Sequence, residues 1–244
     1  MIPENMKLVW QDNFDGSGLD SAKWKKLVWK KGVVNNEEQC YTDDSETCFI
    51  DNGLVIQAVK TENGSWKSAR ITTAGLCSWK YGYFEAKIKL PAKTDGIWPA
   101  FWMMSEENAY GKWPRSGEID ILEYSPATFG SDVYGTVHYG TGTVDKETHF
   151  WKNLMRIPLE KLPESADGYH TYGLMWSENE ISFYYDGIKS ASSWRRYDGD
   201  EVRWPFDRPF HFIINLAMGG TLGEKIPENL ERASMKIEYV RVWQ

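Results

Sequence analysis

Cysteine, histidine and cationic charge are all scarce in this chain. Its three cysteines, Cys40, Cys48 and Cys77, spread over 244 residues, make neither a disulfide framework nor a Cys-x-x-Cys redox pair. The four histidines, His138, His149, His170 and His211, show no metal-ligand spacing. There is no Gly-x-Ser-x-Gly elbow, no phosphate-binding glycine loop and no dinucleotide fingerprint, which removes most other enzyme classes. Lys and Arg number 28 against 35 Asp and Glu, a net charge of −7 with no basic block. That balance argues against nucleic acid and anionic membranes as partners. No run approaches the ~18 apolar residues of a membrane helix. Met1-Ile2-Pro3-Glu4-Asn5 lacks the basic and apolar regions of a signal peptide, an absence that trimming of a precursor would also produce.

Aromatic residues are abundant instead. Thirteen Trp, thirteen Tyr and ten Phe exceed what a core of this size needs. Strand signals recur from end to end, at 7–11, 54–59, 83–90, 97–104, 117–124, 133–139, 170–176, 181–185, 210–216 and 235–243. The 83–90 segment alternates cleanly, with Phe84, Ala86, Ile88 and Leu90 inward and Glu85, Lys87 and Lys89 outward. Tyr185-Asp186-Gly187-Ile188 reads as a hairpin turn. Only a short helical pattern is present, near 159–162. There are no repeats, linkers or low-complexity segments. The expectation is all-β: one domain over 1–244, two stacked antiparallel sheets, with a cleft on one concave sheet.

The densest chemistry lies at Glu118-Ile119-Asp120-Ile121-Leu122-Glu123. Glu118 and Asp120 share one face of a strand while Ile119 and Ile121 take the other. Glu123 is an odd offset away, so a regular strand would bury it unpaired. One extra residue bulged out near Leu122 restores the parity and gathers three carboxylates on one surface. Two carboxyl groups about 5–5.5 Å apart are the equipment of a retaining glycosidase. One attacks while ionised, the other holds a proton because its neighbours raise its pKa, and a third acid assists. A solvated sheet face is the plain alternative. An all-acid face, however, repels itself without compensation, and the preceding segment is rich in rings on which sugars stack. Period two places Trp98 and Trp102 on one face with Ala100 and Met104. Trp113 precedes Glu118 closely enough to favour the cleft. His138, in Thr136-Val137-His138-Tyr139-Gly140, has two open readings, a hydrogen-bonded structural residue or a contact to the leaving-group sugar. Taken alone, Arg70 reads as a surface charge and Asn35-Asn36-Glu37-Glu38-Gln39 as a polar loop.

With those residues in view, the chain resembles glycoside hydrolase family 16, in particular its laminarinase-like β-1,3-glucanases. The likeness includes Trp10-Gln11-Asp12-Asn13-Phe14, Asn35-Asn36-Glu37, Tyr81-Gly82-Tyr83-Phe84-Glu85 and Gly96-Ile97-Trp98-Pro99-Ala100-Phe101-Trp102-Met103. It continues through Trp113-Pro114-Arg115-Ser116-Gly117-Glu118 and the acid run, Asn215-Leu216-Ala217-Met218-Gly219-Gly220, and Tyr239-Val240-Arg241-Val242-Trp243. The resemblance implies a β-jelly-roll and endo-acting retaining hydrolysis of β-1,3- or mixed β-1,3/1,4-glucan, polymer or oligosaccharide. By it Glu118 is the nucleophile, Glu123 the acid/base and Asp120 the assisting carboxylate. Trp113 stacks on sugar, and Asn36, Arg70, Trp98, Trp102 and His138 line the groove.

No catalytic cofactor is implied. Many relatives hold a structural calcium, and the matching positions are Asn13, Gly53 and Glu238, where Asn13 supplies no carboxylate. Tyr83 stands where Arg is common, which puts one polar groove contact in doubt. An extracellular or periplasmic monomer is the expected setting. The alternatives are a galactan hydrolase of the same family, or a lectin-like sandwich that binds glycan without cleaving it. The low basic content argues against sulfated chains, and a lectin has no use for three repelling carboxylates.

Overall fold

Each long strand of this chain has one apolar face, and burial of those faces against one another builds two stacked sheets. The structure is a computed structural model that describes residues 5–140, 149–163, 165, 168–195 and 204–244. Most of the segment read for a signal peptide, 1–4, lies outside them.

The first sheet has seven strands among the described residues. Their order is His149–Pro158, Asp132–Gly140, Glu118–Tyr124, Ile97–Ser105, Phe210–Met218, Arg70–Thr72 and Lys25–Lys26, every neighbouring pair antiparallel. The second, of eleven described strands, runs through Glu180–Tyr185, His170–Trp176, Gly82–Lys89, Arg232–Trp243 and Leu54–Lys60. The all-β expectation is borne out. One pairing departs from it: Gln39–Tyr41 lies parallel to Trp66–Ser68. No helix of the described residues is long and apolar enough to cross a membrane.

Between the sheets, Ile71, Phe101, Met103, Ile119, Ile121, Val137, Phe212 and Ile214 meet Ile56, Phe84, Ala86, Leu174, Phe183, Met235 and Val240, all fully buried. Each large side chain so buried contributes roughly 1.5–3 kcal/mol. Because strand side chains alternate, fixing this face also fixes the opposite one. The outer face of the seven-stranded sheet therefore receives Glu118, Asp120 and Trp102 without further choice.

Three expectations need correction. The ten-residue strand His149–Pro158 gives no alternating signal, because as an edge strand it is exposed at consecutive positions, Trp151 to Asn153. Tyr83 is not in the groove. It lies on the second sheet, where its hydroxyl donates to Glu85 Oε2 at 2.8 Å. The calcium positions do not fit the ion. Asn13 Oδ1 accepts from Arg241 Nη2 at 3.1 Å, and the Glu238 carboxylate is paired with Lys87 Nζ at 2.7 Å. Calcium takes several converging oxygens with net negative charge, whereas here two side-chain cations satisfy the same oxygens.

Candidate active site

The acidic strand contains the bulge that its spacing demands. Asp120 opposes Thr136 and Glu123 opposes Tyr134, so Ile121 and Leu122 together face Gly135. On the other flank Asp120 opposes Trp102 while Leu122 opposes Phe101. Both Ile121 and Leu122 turn into the core, and Glu123 is returned to the face of Glu118 and Asp120. A bulge leaves one carbonyl out of the ladder. Here the Tyr185 hydroxyl crosses from the second sheet and donates to the Ile121 carbonyl at 2.6 Å. Gly135 makes room for it: a Cβ there would sit 2.8 Å from the Phe183 ring and 3.0 Å from Tyr185 Oη.

Tyr185→Phe tests this arrangement. It leaves a buried carbonyl without a donor, so unfolding free energy should fall by about 1–3 kcal/mol in denaturant titration. Turnover of polysaccharide should fall with it, and an activated substrate with azide, which together need neither acid nor base, should be spared, since the bulge aims Glu123. Equal loss on both substrates would show that Tyr185 serves stability alone.

Gly117 feeds the strand at φ 80°, with Pro205 Cγ 2.8 Å and the Phe206 ring 3.0 Å from where a Cβ would lie. Any side chain there would push Glu118 out of register.

Burial dominates the electrostatics. Asp120 is 3 % exposed, and Glu118 and Glu123 are half-buried. Loss of hydration raises the pKa of all three. Glu118 is pushed up to about 8, first by burial and then by the charge of Asp120, while His138 and Trp113 favour its ionised form. Burial and the Glu123 charge hold Asp120 well above the carboxylate range. Glu123 is raised by burial, opposed by His138 and by the Trp98 indole N–H, which donates to Glu123 Oε1 at 3.1 Å. Burial and mutual repulsion work against all three ionising together, so the cluster titrates as a unit that shares protons.

Two walls flank the acids. On one side Arg70 is buried between Trp29 and Trp102, its guanidinium carbon 4.3 and 4.8 Å from the two rings. Trp102 Nε1 donates to Asn215 Oδ1 at 2.8 Å, Asn215 Nδ2 donates to Tyr41 Oη at 3.1 Å, and Tyr41 donates to Glu37 at 2.9 Å. The surface-charge reading of Arg70 is therefore wrong, and the groove position that the resemblance implied is where it sits. On the other side His138 Nε2 is 3.0 Å from Asp120 Oδ2, and its Nδ1 is 2.9 Å from His149 Nε2. The Trp113 ring packs on His149 at 4.5 Å between centroids, and its buried indole N–H lacks a well-aligned partner.

Trp98, Trp102, Trp113, Arg70 and His138 thus gather around the three acids. Asn36 does not join them by any side-chain contact. It is exposed in a left-handed turn, φ 53°, and its neighbours Glu37, Gln39 and Tyr41 supply the buried polar contacts. Sequence reasoning missed Trp29, Tyr41, Asn215 and His149. Asn215 could have been found, being the one amide inside the apolar strand Phe210–Met218. Among the described residues, one set has metal-ligand geometry: Glu118, Asp120 and His138, with donor atoms within 4.8 Å of one another. His138 Nε2 lies 3.0 Å from Asp120 Oδ2 within that set.

Residues 8–244 match a family model described as beta-porphyranase A–D, GH16 domain. The chain is 34% identical to a beta-glucanase of Rhodothermus marinus over 98% of its own length and 85% of that protein. It is 36% identical to a glucan endo-1,3-beta-glucosidase of Cryptopygus antarcticus, with 97% and 91% covered. Its structure is similar to the crystal structure of laminarinase from Flavobacterium sp. UMI-01, with a TM-score of 0.83, 34% identity and 98% and 100% coverage.

Proposed function

This chain belongs to glycoside hydrolase family 16, and on that premise we propose that it is an endo-acting, retaining β-glucanase of β-1,3- and mixed β-1,3/1,4-glucans. The observation that carries the reading is the bulge at Ile121 and Leu122, which puts Glu118, Asp120 and Glu123 on one face of a sheet walled by Trp98, Trp102 and Trp113.

Glu118 attacks the anomeric carbon. Its attacking form has the shared proton on Asp120, which then donates to Glu118 and steadies the charge that moves into the new ester bond. Glu123, whose pKa burial raises, gives its proton to the departing glycosidic oxygen, then takes one from the water that releases the sugar. The reaction needs no cofactor. Trp98 orients Glu123 through its N–H, and Arg70, Trp29, Trp102 and Asn215 bind the glycosyl part of the chain. The Trp98 bond to Glu123 fits a proton donor held in a fixed pose. An enzyme of this kind meets its polymer outside the cell, and export follows as part of the proposal.

The description of the matching family model favours one second reading, a galactan hydrolase. Laminarin, barley β-glucan, agarose and porphyran, compared by reducing-sugar release, separate the two. Release from the glucans alone is the expected result, and release from the galactans alone would replace it. Proton NMR of the first product should show the β-anomer before mutarotation, the outcome for carboxyls about 5–5.5 Å apart, which leave no space for an inverting water. An initial α-anomer would sink the mechanism.

A further inference from the structure

Trp151 stands out among the exposed apolar side chains because it is a tryptophan with 59 % of its surface open. It lies on the edge strand His149–Pro158, directly opposite His138, which in turn opposes Glu118. Cross-strand partners share a face, so Glu118, His138 and Trp151 form one row running out of the cleft to the sheet's edge. The row is bridged by rings. His149 stacks on His138 at 5.1 Å and 22°, and the Trp151 ring lies 5.5 Å from His149. Trp113 covers His149 from the acid side at 4.5 Å. Asn153, two residues on and exposed, accepts a bond from Thr136 at 2.9 Å and sets an amide beside the ring. An exposed aromatic plane with adjacent polar groups, continuous with a sugar cleft, is the equipment of a stacking site for a further sugar.

We propose that Trp151, backed by His149, is the platform on which the leaving segment of the glucan, and an incoming oligosaccharide acceptor, rests. The choice of side follows from how the two walls are built. The wall around Arg70 is buried and cross-linked by hydrogen bonds, which suits the sugars held through the covalent intermediate. Trp151 is open to solvent, which suits a segment that must dissociate, or be replaced by an acceptor, in every cycle. The platform rests on the glycosidase reading above, and the same covalent intermediate passes its glycosyl unit either to water or to a hydroxyl of the bound acceptor. In the second case the acceptor's oxygen forms the new glycosidic bond, Glu123 takes its proton and Glu118 leaves as the carboxylate.

The test compares wild type, Trp151→Ala and Trp151→Phe in the full chain, on whichever polysaccharide the wild type degrades. Failure of the glucan reading then shows in the wild type, and failure of the platform in the variants. With an activated aryl glycoside as donor and an oligosaccharide as acceptor, the ratio of transfer to hydrolysis should fall about fivefold in Trp151→Ala. Hydrolysis of the same donor without acceptor should be unchanged, and Trp151→Phe should recover most of the transfer. KM for polymer should rise while kcat holds. An unchanged transfer ratio would overturn the proposal. So would an equal loss of acceptor-free hydrolysis, which would move Trp151 to the glycosyl side or to a structural role.

Discussion

Glu118→Gln is expected to reduce hydrolysis by several orders of magnitude while oligosaccharide affinity stays within about tenfold, or 1.4 kcal/mol. The amide keeps the shape of the cleft but cannot form the glycosyl-enzyme. The same substitution should stabilise the fold, and the sign follows from linkage. Burial and Asp120 push the Glu118 pKa from about 4.5 up to about 8, so the folded state holds this proton more tightly than the unfolded chain does. Below pH 4.5 both states are protonated and the group is neutral for stability. As pH rises towards 8 the unfolded chain gives up its proton first, and folding is progressively disfavoured. Glutamine carries no such charge, so the variant should gain on the order of a few kcal/mol at pH 8 and above and little at pH 4. Calorimetry across that range, beside a reducing-sugar assay, reads both effects. Substantial residual turnover would remove Glu118 from the nucleophile's role. A Tm unchanged at pH 8 would show that its carboxylate is not destabilised where it lies.

That trade of stability for reactivity also shows how far the sequence was legible. The odd spacing between Glu118 and Glu123 required a bulge, and the register places it at Ile121 and Leu122. Alternation in 83–90 put Phe84 in the core, and in 97–104 it set Trp98 and Trp102 on the face opposite Phe101 and Met103, because a strand half in water must alternate; the resemblance, not the period, said which face was the groove. Arg70 failed on residue type alone. Charged side chains are usually exposed, and nothing local shows that Trp29, forty-one positions earlier, would cover its guanidinium. Tyr185 was legible as a hairpin residue but not as the donor to the Ile121 carbonyl, since that contact spans 64 residues and two sheets. The strand His149–Pro158 was lost for the opposite reason: an edge strand with little to bury has no hydrophobic period to read. Alternation along a strand is local in sequence and contacts between distant segments are not, and Arg70 and Tyr185 fall on the second kind.

Glu123→Ala should separate the two halves of the mechanism. Turnover of glucan should drop about 10²–10⁴-fold, because the glycosidic oxygen must then leave without a proton and no base remains to activate water. An aryl β-glycoside with an acidic phenol leaves unaided, so the glycosyl-enzyme should still form and accumulate. Azide needs no base, and adding it should restore turnover and yield the β-glycosyl azide, since Glu118 has already inverted the centre once. The pH profile should change as well. In the wild type the alkaline limb reports loss of the Glu123 proton, held above the ordinary carboxylate range by burial, and that limb should disappear in the variant. An α-azide, or no response to azide on the aryl substrate, would assign the proton transfer to another group. In that case the Trp98 N–H would be holding a carboxylate that the reaction does not use.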